Sequence, residues 1–181
     1  MPKKIINIQE KIVQAARSIL FEKGLEGLSL RSVAAKCDIA VGTIYNYYKD
    51  KEALMAAVMS EDWKNDLRQM VQKTESALSI EEGITAIFET LRGFCDQYEG
   101  IWASYSGGPG FILHFQRGHL LLCEQIVNTL HDLFARFSME LKESGFTLLA
   151  DTLINAAMIE DINSTDVLFY IQGFLKEREH V

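Results

Sequence analysis

Ser29-Leu-Arg-Ser-Val-Ala-Ala-Lys-Cys-Asp-Ile-Ala-Val-Gly-Thr-Ile-Tyr-Asn-Tyr-Tyr-Lys-Asp-Lys51 is the stretch whose reading decides the fold. Two short helical patterns flank a turn of about three residues, which is the arrangement of a helix-turn-helix. Leu30, Val33, Ala34 and Cys37 recur at three and four and share a face of the first helix. Ile44 and Tyr48 share a face of the second, with Ile39 packing from the turn. The other side of the second helix carries Thr43, Tyr45, Asn46 and Tyr47, with Lys49 and Lys51 just beyond. Hydroxyls, an amide and ammonium groups around a helix N-terminal region suit phosphate and base-edge contact in a major groove.

Upstream, residues 1–6 form a basic arm, and Asn7 with Glu10 resembles a capping box that starts a first helix. Ile8, Ile12, Ala15, Ala16, Ile19 and Leu20 make its apolar stripe, and Gly24 or Gly27 is expected to end it. A third helix is what two short ones need for a stable head. Ser29 is expected to cap the second helix and Asp38 to take a positive φ in the turn. Ala40 stands where an N-cap belongs and caps poorly, at a cost of about 1 kcal/mol against serine. Asp50 is read as the cap of the next helix, whose free N–H groups beside Lys51 would make a phosphate site.

Downstream, Leu54, Met55, Val58, Met59, Trp63, Leu67, Met70 and Val71 carry a helical period to about Lys73. Ser79 and Glu82 form a second capping box before an apolar run that Gly100 is expected to stop. Gly107-Gly108-Pro109-Gly110 is the strongest break and marks an element boundary. Helical spacing resumes from Phe111 to about Glu143, with a kink or split at Gly118 and a stop at Gly145. Phe146 to Ile159 and a last helix capped by Ser164 complete the chain. Strand signals are nearly absent. The expectation is an all-α protein of eight or nine helices, with a helix-turn-helix head over 1–51 and a ligand-binding and dimerisation body over 52–181.

Composition bounds the rest. The 181 residues are 48% hydrophobic, enough for a core and too apolar for disorder. No apolar run approaches the roughly 20 residues of a membrane span, and no signal-peptide h-region follows Met1, so a cytoplasmic protein without a membrane partner is expected. Cys37, Cys95 and Cys123 are far apart and odd in number, which suits a reducing compartment. The net charge of −7 is unevenly divided: residues 1–59 carry 9 basic and 6 acidic side chains, and residues 60–181 carry 9 and 19. The basic end is the helix-turn-helix end, and an acidic body would be repelled by phosphate.

Ser29 to roughly Leu54 resembles the head of the TetR family of bacterial transcriptional regulators. The resemblance rests on Arg31-Ser32-Val33-Ala34, on Gly42-Thr43-Ile44-Tyr45-Asn46-Tyr47-Tyr48 and on Lys49-Asp50-Lys51-Glu52-Ala53-Leu54, with their spacing. It implies a homodimer on a double-stranded DNA operator, with a recognition helix starting near Val41. Thr43, Tyr45 and Tyr47 match positions that contact backbone or bases, with Asn46 and Lys49 beside them. Arg31 matches a contact from the preceding helix and Lys51 a phosphate-binding lysine. Gly42 would allow close approach to DNA. Asp38, Ala40 and Tyr48 depart from the usual glycine, serine and phenylalanine; the Tyr48 hydroxyl is tolerable if it reaches solvent.

The resemblance also implies dimerisation through the last two helices. Leu149, Leu153, Ala157, Val167, Tyr170, Ile171 and Phe174 are the residues expected there, and the last helix is apolar around much of its girth. Trp63, Phe88, Phe94, Trp102, Tyr105, Phe111, His114, Phe115 and His119 cluster on the central helices as core or as lining of a pocket for an unknown small-molecule effector. Such an effector would act by shifting the helix that starts at Asp50. His119 and Cys123, four apart, could be half a metal site, but packing explains them as well, and no metal or cofactor is assigned. No nucleophile has a base at a diagnostic spacing, so no catalytic residue is expected. The reading is a repressor released from a palindromic operator by a small molecule. The alternatives are the same fold controlled by protein partners, and a carrier or enzyme with a vestigial head.

Overall fold

Hydrogen bonds reaching no more than five residues set most of the helix boundaries. The computed structural model describes residues 7–103 and 109–176; side chains at 102, 103, 109–117, 119 and 173–176 lie outside that description. Among the described residues it contains eight helices and no strand. They are α1 (Ile8–Gly27), α2 (Leu30–Cys37), α3 (Val41–Tyr45), α4 (Lys51–Ser76), α5 (Ile80–Ala103), α6 (Pro109–Arg136), α7 (Glu143–Ala157) and α8 (Ser164–Lys176).

Asn7 opens α1 by accepting from Gln9 N at 3.2 Å. Ser29 and Ser32 cap each other's backbone N–H at 3.0 Å, so the box at the start of α2 uses serine where glutamate is usual. Asp38 takes φ 54°. Its N–H donates to Ala35 O and that of Ile39 to Ala34 O, the bond pair of a Schellman stop. Asp50 Oδ1 accepts from Ala53 N at 2.7 Å and Ser79 Oγ from Glu82 N at 3.1 Å, which start α4 and α5.

Several boundaries differ from the sequence expectation. Gly24 takes φ 68° and kinks α1, which ends at the other expected glycine, Gly27. α5 runs through Gly100 to Ala103, and α6 runs through Gly118. α6 stops at Arg136, not at Gly145. The stop is Ser138, whose φ is 54°, with Ser138 N bonded to Ala135 O and Met139 N to Phe134 O. Gly145 lies inside the first turn of α7, where a Cβ would come 2.7 Å from Leu141 Cγ. It marks a close approach, and its lack of a side chain reads the same in sequence as a helix stop. At α8, Asn163 rather than Ser164 is the cap. Its Oδ1 accepts from Thr165 N and Asp166 N at 2.9 and 3.1 Å, while Asp166 Oδ2 accepts from Asn163 N at 3.0 Å.

The chain divides into two compact units, Met1–Lys64 with Gly100–Phe115, and Asn65–Glu99 with Gln116–Val181. In the first, Ile12, Ala16, Ile19, Leu20, Val33, Ile44, Leu54 and Val58 are buried. Each large apolar side chain so buried contributes about 1.5–3 kcal/mol. Cations then tie helix to helix: Lys11 Nζ donates to Cys37 O at 2.7 Å, and Arg17 Nε to both Asp62 oxygens at 2.8 and 2.9 Å. In the second unit Ile84, Ile87, Phe88, Leu91, Tyr98, Ile126, Leu130, Phe134, Leu153 and Ile154 are buried. Arg136 Nη2 donates to Ala77 O at 2.7 Å, across the connection that follows α4.

Candidate nucleic-acid interface

Ile44 and Tyr48 are four apart and both buried, so the three residues between them are driven outward. Tyr45 is 58% exposed and Tyr47 44%, and Asn46 between them is exposed too. α3 itself is shorter than the pattern suggests. It ends at Tyr45, and Tyr47 N and Tyr48 N both donate to Ile44 O at 2.9 Å. Asn46 and Tyr47 therefore project from a turn rather than from a continuing helix. No side chain caps α3 at Ala40, as its methyl dictates. Val41 and Thr43 are half-buried and Gly42 is exposed. A Cβ at Gly42 would meet no atom of the chain within 4 Å, so nothing inside the described protein requires glycine there.

The charges around this surface are not equally available. Arg31 is exposed in the first turn of α2. Lys49 has a side chain 71% exposed, its Nζ 3.6 Å from Asp50. Lys51, matched by the resemblance to a phosphate-binding lysine, has an acceptor inside the head. Its Nζ donates to Leu25 O at 2.7 Å, in the last turn of α1. A helix C-terminus carries partial negative charge, so an ammonium is favoured there. Lys51 is engaged by this internal acceptor before any phosphate arrives. Lys36 bonds Ser18 and lies 3.5 Å from Glu22. The Ser18 hydroxyl and then Lys36 hold the Glu22 carboxyl below its usual range. Tyr48 is also a correction: its ring is buried, and its hydroxyl has no hydrogen-bond partner among the described residues rather than reaching solvent.

Residues 12–58 match the family described as bacterial regulatory proteins, tetR family. The match takes in the helix-turn-helix head, about a quarter of the chain. It is 32% identical over 91 residues to an HTH-type transcriptional regulator, YvdT, of Bacillus subtilis, a match covering 50% of this chain and 45% of that protein. Across several such curated relatives the chain spans between 44% and 64% of their length. The fold is similar to that of the fatty acid degradation regulator FadR from Bacillus halodurans. The TM-score is 0.58 at 17% identity, covering 99% of this chain and 100% of the other. It is also similar to FadR from Bacillus subtilis in complex with stearoyl-CoA, with TM-score 0.59 at 14% identity, covering 92% and 88%.

Beyond the TetR-family head, the expected pocket residues are placed only in part. Trp63 and Phe88 are buried; Phe94 is half-buried, its ring 5.1 Å from that of Tyr98. The side chains of Trp102, Tyr105, Phe111, His114, Phe115 and His119 lie outside the described residues. The residues expected at a dimer interface separate into two sets. Leu153, Ala157, Val167 and Ile171 are buried in the lone chain, Leu149 is half-buried, and Tyr170 is 73% exposed; the Phe174 side chain is not described. The first four pack against the chain's own core. On α7, α8 and their connection the exposed large apolar side chains among the described residues are instead Leu148, Met158, Ile159 and Phe169, with Tyr170. Leu148, Thr152, Asn155 and Ile159 repeat at four, three and four on or just beyond α7. That spacing was available in the sequence, but it is masked there by the stronger apolar stripe on the opposite side.

Cys123 Sγ donates to Asp151 Oδ1 at 2.8 Å, and burial first, then this carboxylate, raises its pKa to about 11. Among the described residues no three metal-ligating side chains cluster. None of the described helices is long and apolar enough to cross a membrane.

Proposed function

We propose that this chain is a transcriptional regulator of TetR type. Two copies pair, each presenting one head to one half of a palindromic operator, and an effector bound in the body releases them. The observation that carries the reading is the outward set Tyr45, Asn46 and Tyr47, held between two buried anchors on an otherwise exposed surface. Hydroxyl and amide tips can bond phosphate oxygens and base edges, while Arg31 and Lys49 add charge on the same unit. The bare backbone at Gly42 would let α3 lie close to the duplex. The YvdT likeness supports regulation as the task. A second copy is the occupant suited to the exposed Leu148, Phe169 and Tyr170, because a two-fold pair spaces two heads for half-sites about 34 Å apart. No catalytic role is assigned, and the protein would act in the cytoplasm, where its operator is. The fold holds stearoyl-CoA in FadR of Bacillus subtilis, so a long-chain acyl-CoA is the first effector to try here.

The test is fluorescence anisotropy of the purified chain on its own upstream intergenic DNA and on shuffled DNA. A preference for the former that falls as salt rises, and that Tyr45→Ala and Tyr47→Ala both weaken while folding is retained, is the expected result. Equal affinity for the two DNAs would overturn the operator reading. Addition of stearoyl-CoA then either releases the DNA or removes that effector class.

A further inference from the structure

Arg92, near the middle of α5, points its guanidinium at the connection between α7 and α8. Nη2 donates to Ala156 O at 3.0 Å, to Ile159 O at 2.7 Å and to Ile162 O at 2.6 Å. The first of these carbonyls lies in the last turn of α7, the third immediately precedes the Asn163 cap of α8, and the second lies between them. Among the described residues the connection has three backbone bonds of its own after α7: Met158 N to Asn155 O, Ile159 N to Ala156 O and Ile162 N to Ile159 O. Two of the acceptors of Arg92, Ala156 O and Ile159 O, also accept backbone bonds of this turn, and the third, Ile162 O, leads into the cap of α8. Its guanidinium carbon also lies 5.4 Å from the centre of the Phe88 ring, one turn earlier on α5. A cation at a helix C-terminus is favoured by the dipole, and a planar guanidinium holds several carbonyls in a fixed arrangement.

The position of that turn matters because five exposed large apolar side chains flank it. Met158 and Ile159 are in it, Leu148 is on α7, and Phe169 and Tyr170 are on α8, with their rings 6.0 Å apart. A face built from two helices is complementary to a partner only while the angle between those helices is fixed. We propose that Arg92 is the positioning residue for self-association: it sets the angle between α7 and α8 and thereby the affinity of one copy for another. This rests on the dimer part of the proposed function.

The test measures the dimer Kd of the full chain by sedimentation and by fluorescence dilution, at 25 °C, with far-UV circular dichroism confirming the fold. Arg92→Ala is expected to raise Kd about tenfold or more and Arg92→Lys by less, since the ammonium keeps the charge and can still donate, on a shorter side chain. Arg136→Ala is the control. Arg136 ties the connection after α4 in a similar way, so its loss should lower the melting temperature and leave Kd within about twofold. Kd unchanged in Arg92→Ala, or raised equally in Arg136→Ala, overturns the proposal. If Arg92→Ala does not fold, Arg92→Lys decides by the same criterion. Leu148→Asp separates the two levels. If the parent chain is a monomer, the dimer reading itself has failed; if Leu148→Asp leaves the dimer intact, this face is not its interface and the proposal falls with it. If it breaks the dimer while Arg92→Lys and Arg92→Ala do not weaken it, only the role of Arg92 has.

Discussion

Tyr45 and Tyr47 in the first unit, and Phe169 and Tyr170 in the second, are all strongly exposed aromatics, yet their surroundings differ in kind. The first pair brackets an amide, Asn46, and shares its unit with exposed Arg31 and Lys49. The second stands with Leu148, Met158 and Ile159, which are carbon or sulfur to their tips. Exposure alone does not name a partner; what the ring stands beside does. Aromatics that share a unit with exposed cations suit a phosphate backbone, while an apolar group of this size suits another protein surface. The uneven charge agrees, with net +3 over residues 1–59 and −10 over 60–181.

Leu148 and Leu153 on α7 are the sharpest way to break this contrast. Leu153 is fully buried in the lone chain and Leu148 is 66% exposed. Leu153→Ala should cost about 2–5 kcal/mol of unfolding free energy, read by urea denaturation. Leu148→Ala should change the stability of the dissociated chain by no more than about 0.5 kcal/mol while weakening self-association. If the two leucines exchange these behaviours, the apolar surface has been assigned to the wrong side of α7.

Lys51 gives a smaller effect in the first unit. Losing its bond to Leu25 O should destabilise the DNA-free protein by about 1.5 kcal/mol in Lys51→Met, the low end for a charged donor because the side chain is half-buried. The slope of log affinity against log salt should stay unchanged, whereas Lys49→Met should reduce it by about 1 per head. A slope change at Lys51 instead would return that lysine to the phosphate.

Such contrasts show where sequence is legible. Ser29, Asp38, Asp50 and Ser79 act through bonds to residues three or four away, so local spacing reveals them. The outward tyrosines were legible too, because Ile44 and Tyr48 define the inward side. Lys51 was not, since its acceptor is 26 residues distant and a lysine at a helix start looks alike in both roles. The end of α6 was missed because a serine, not a glycine, takes the left-handed conformation at 138. The buried set Leu153, Ala157, Val167 and Ile171 was assigned to an interface because periodicity finds the apolar side of a helix without saying whether the chain covers it itself.

Gly42→Ala separates fold from function by a smaller margin. The added methyl meets no atom of the chain, so helix propensity should raise stability by about 0.5–1 kcal/mol. Operator affinity should fall in the same variant if α3 approaches the duplex closely, as anisotropy would show. A variant both more stable and equally tight on DNA would mean that the glycine serves neither.

The smallest expected effect compares one residue type in the two units. Burial raises the pKa of both Cys37 and Cys123, but Lys11 partly opposes the rise at Cys37, whereas the Asp151 carboxylate adds to it at Cys123. Cys123 is thereby lifted from 9.0 to about 11. Below pH 9 its thiol is protonated in both folded and unfolded chains, and the contribution to stability is complete. Between pH 9 and 11 the unfolded thiol ionises while the folded one does not, so stability is lost as pH rises through that window. Because Cys123 is only half-buried, solvent screens the effect and the loss is small. Melting temperatures of the parent and of Cys123→Ser should run parallel below pH 9 and converge above it, with the parent falling faster. Curves that stay parallel to pH 11 would mean that Asp151 does not hold the proton on Cys123, and the two units would no longer differ in how they treat a buried thiol.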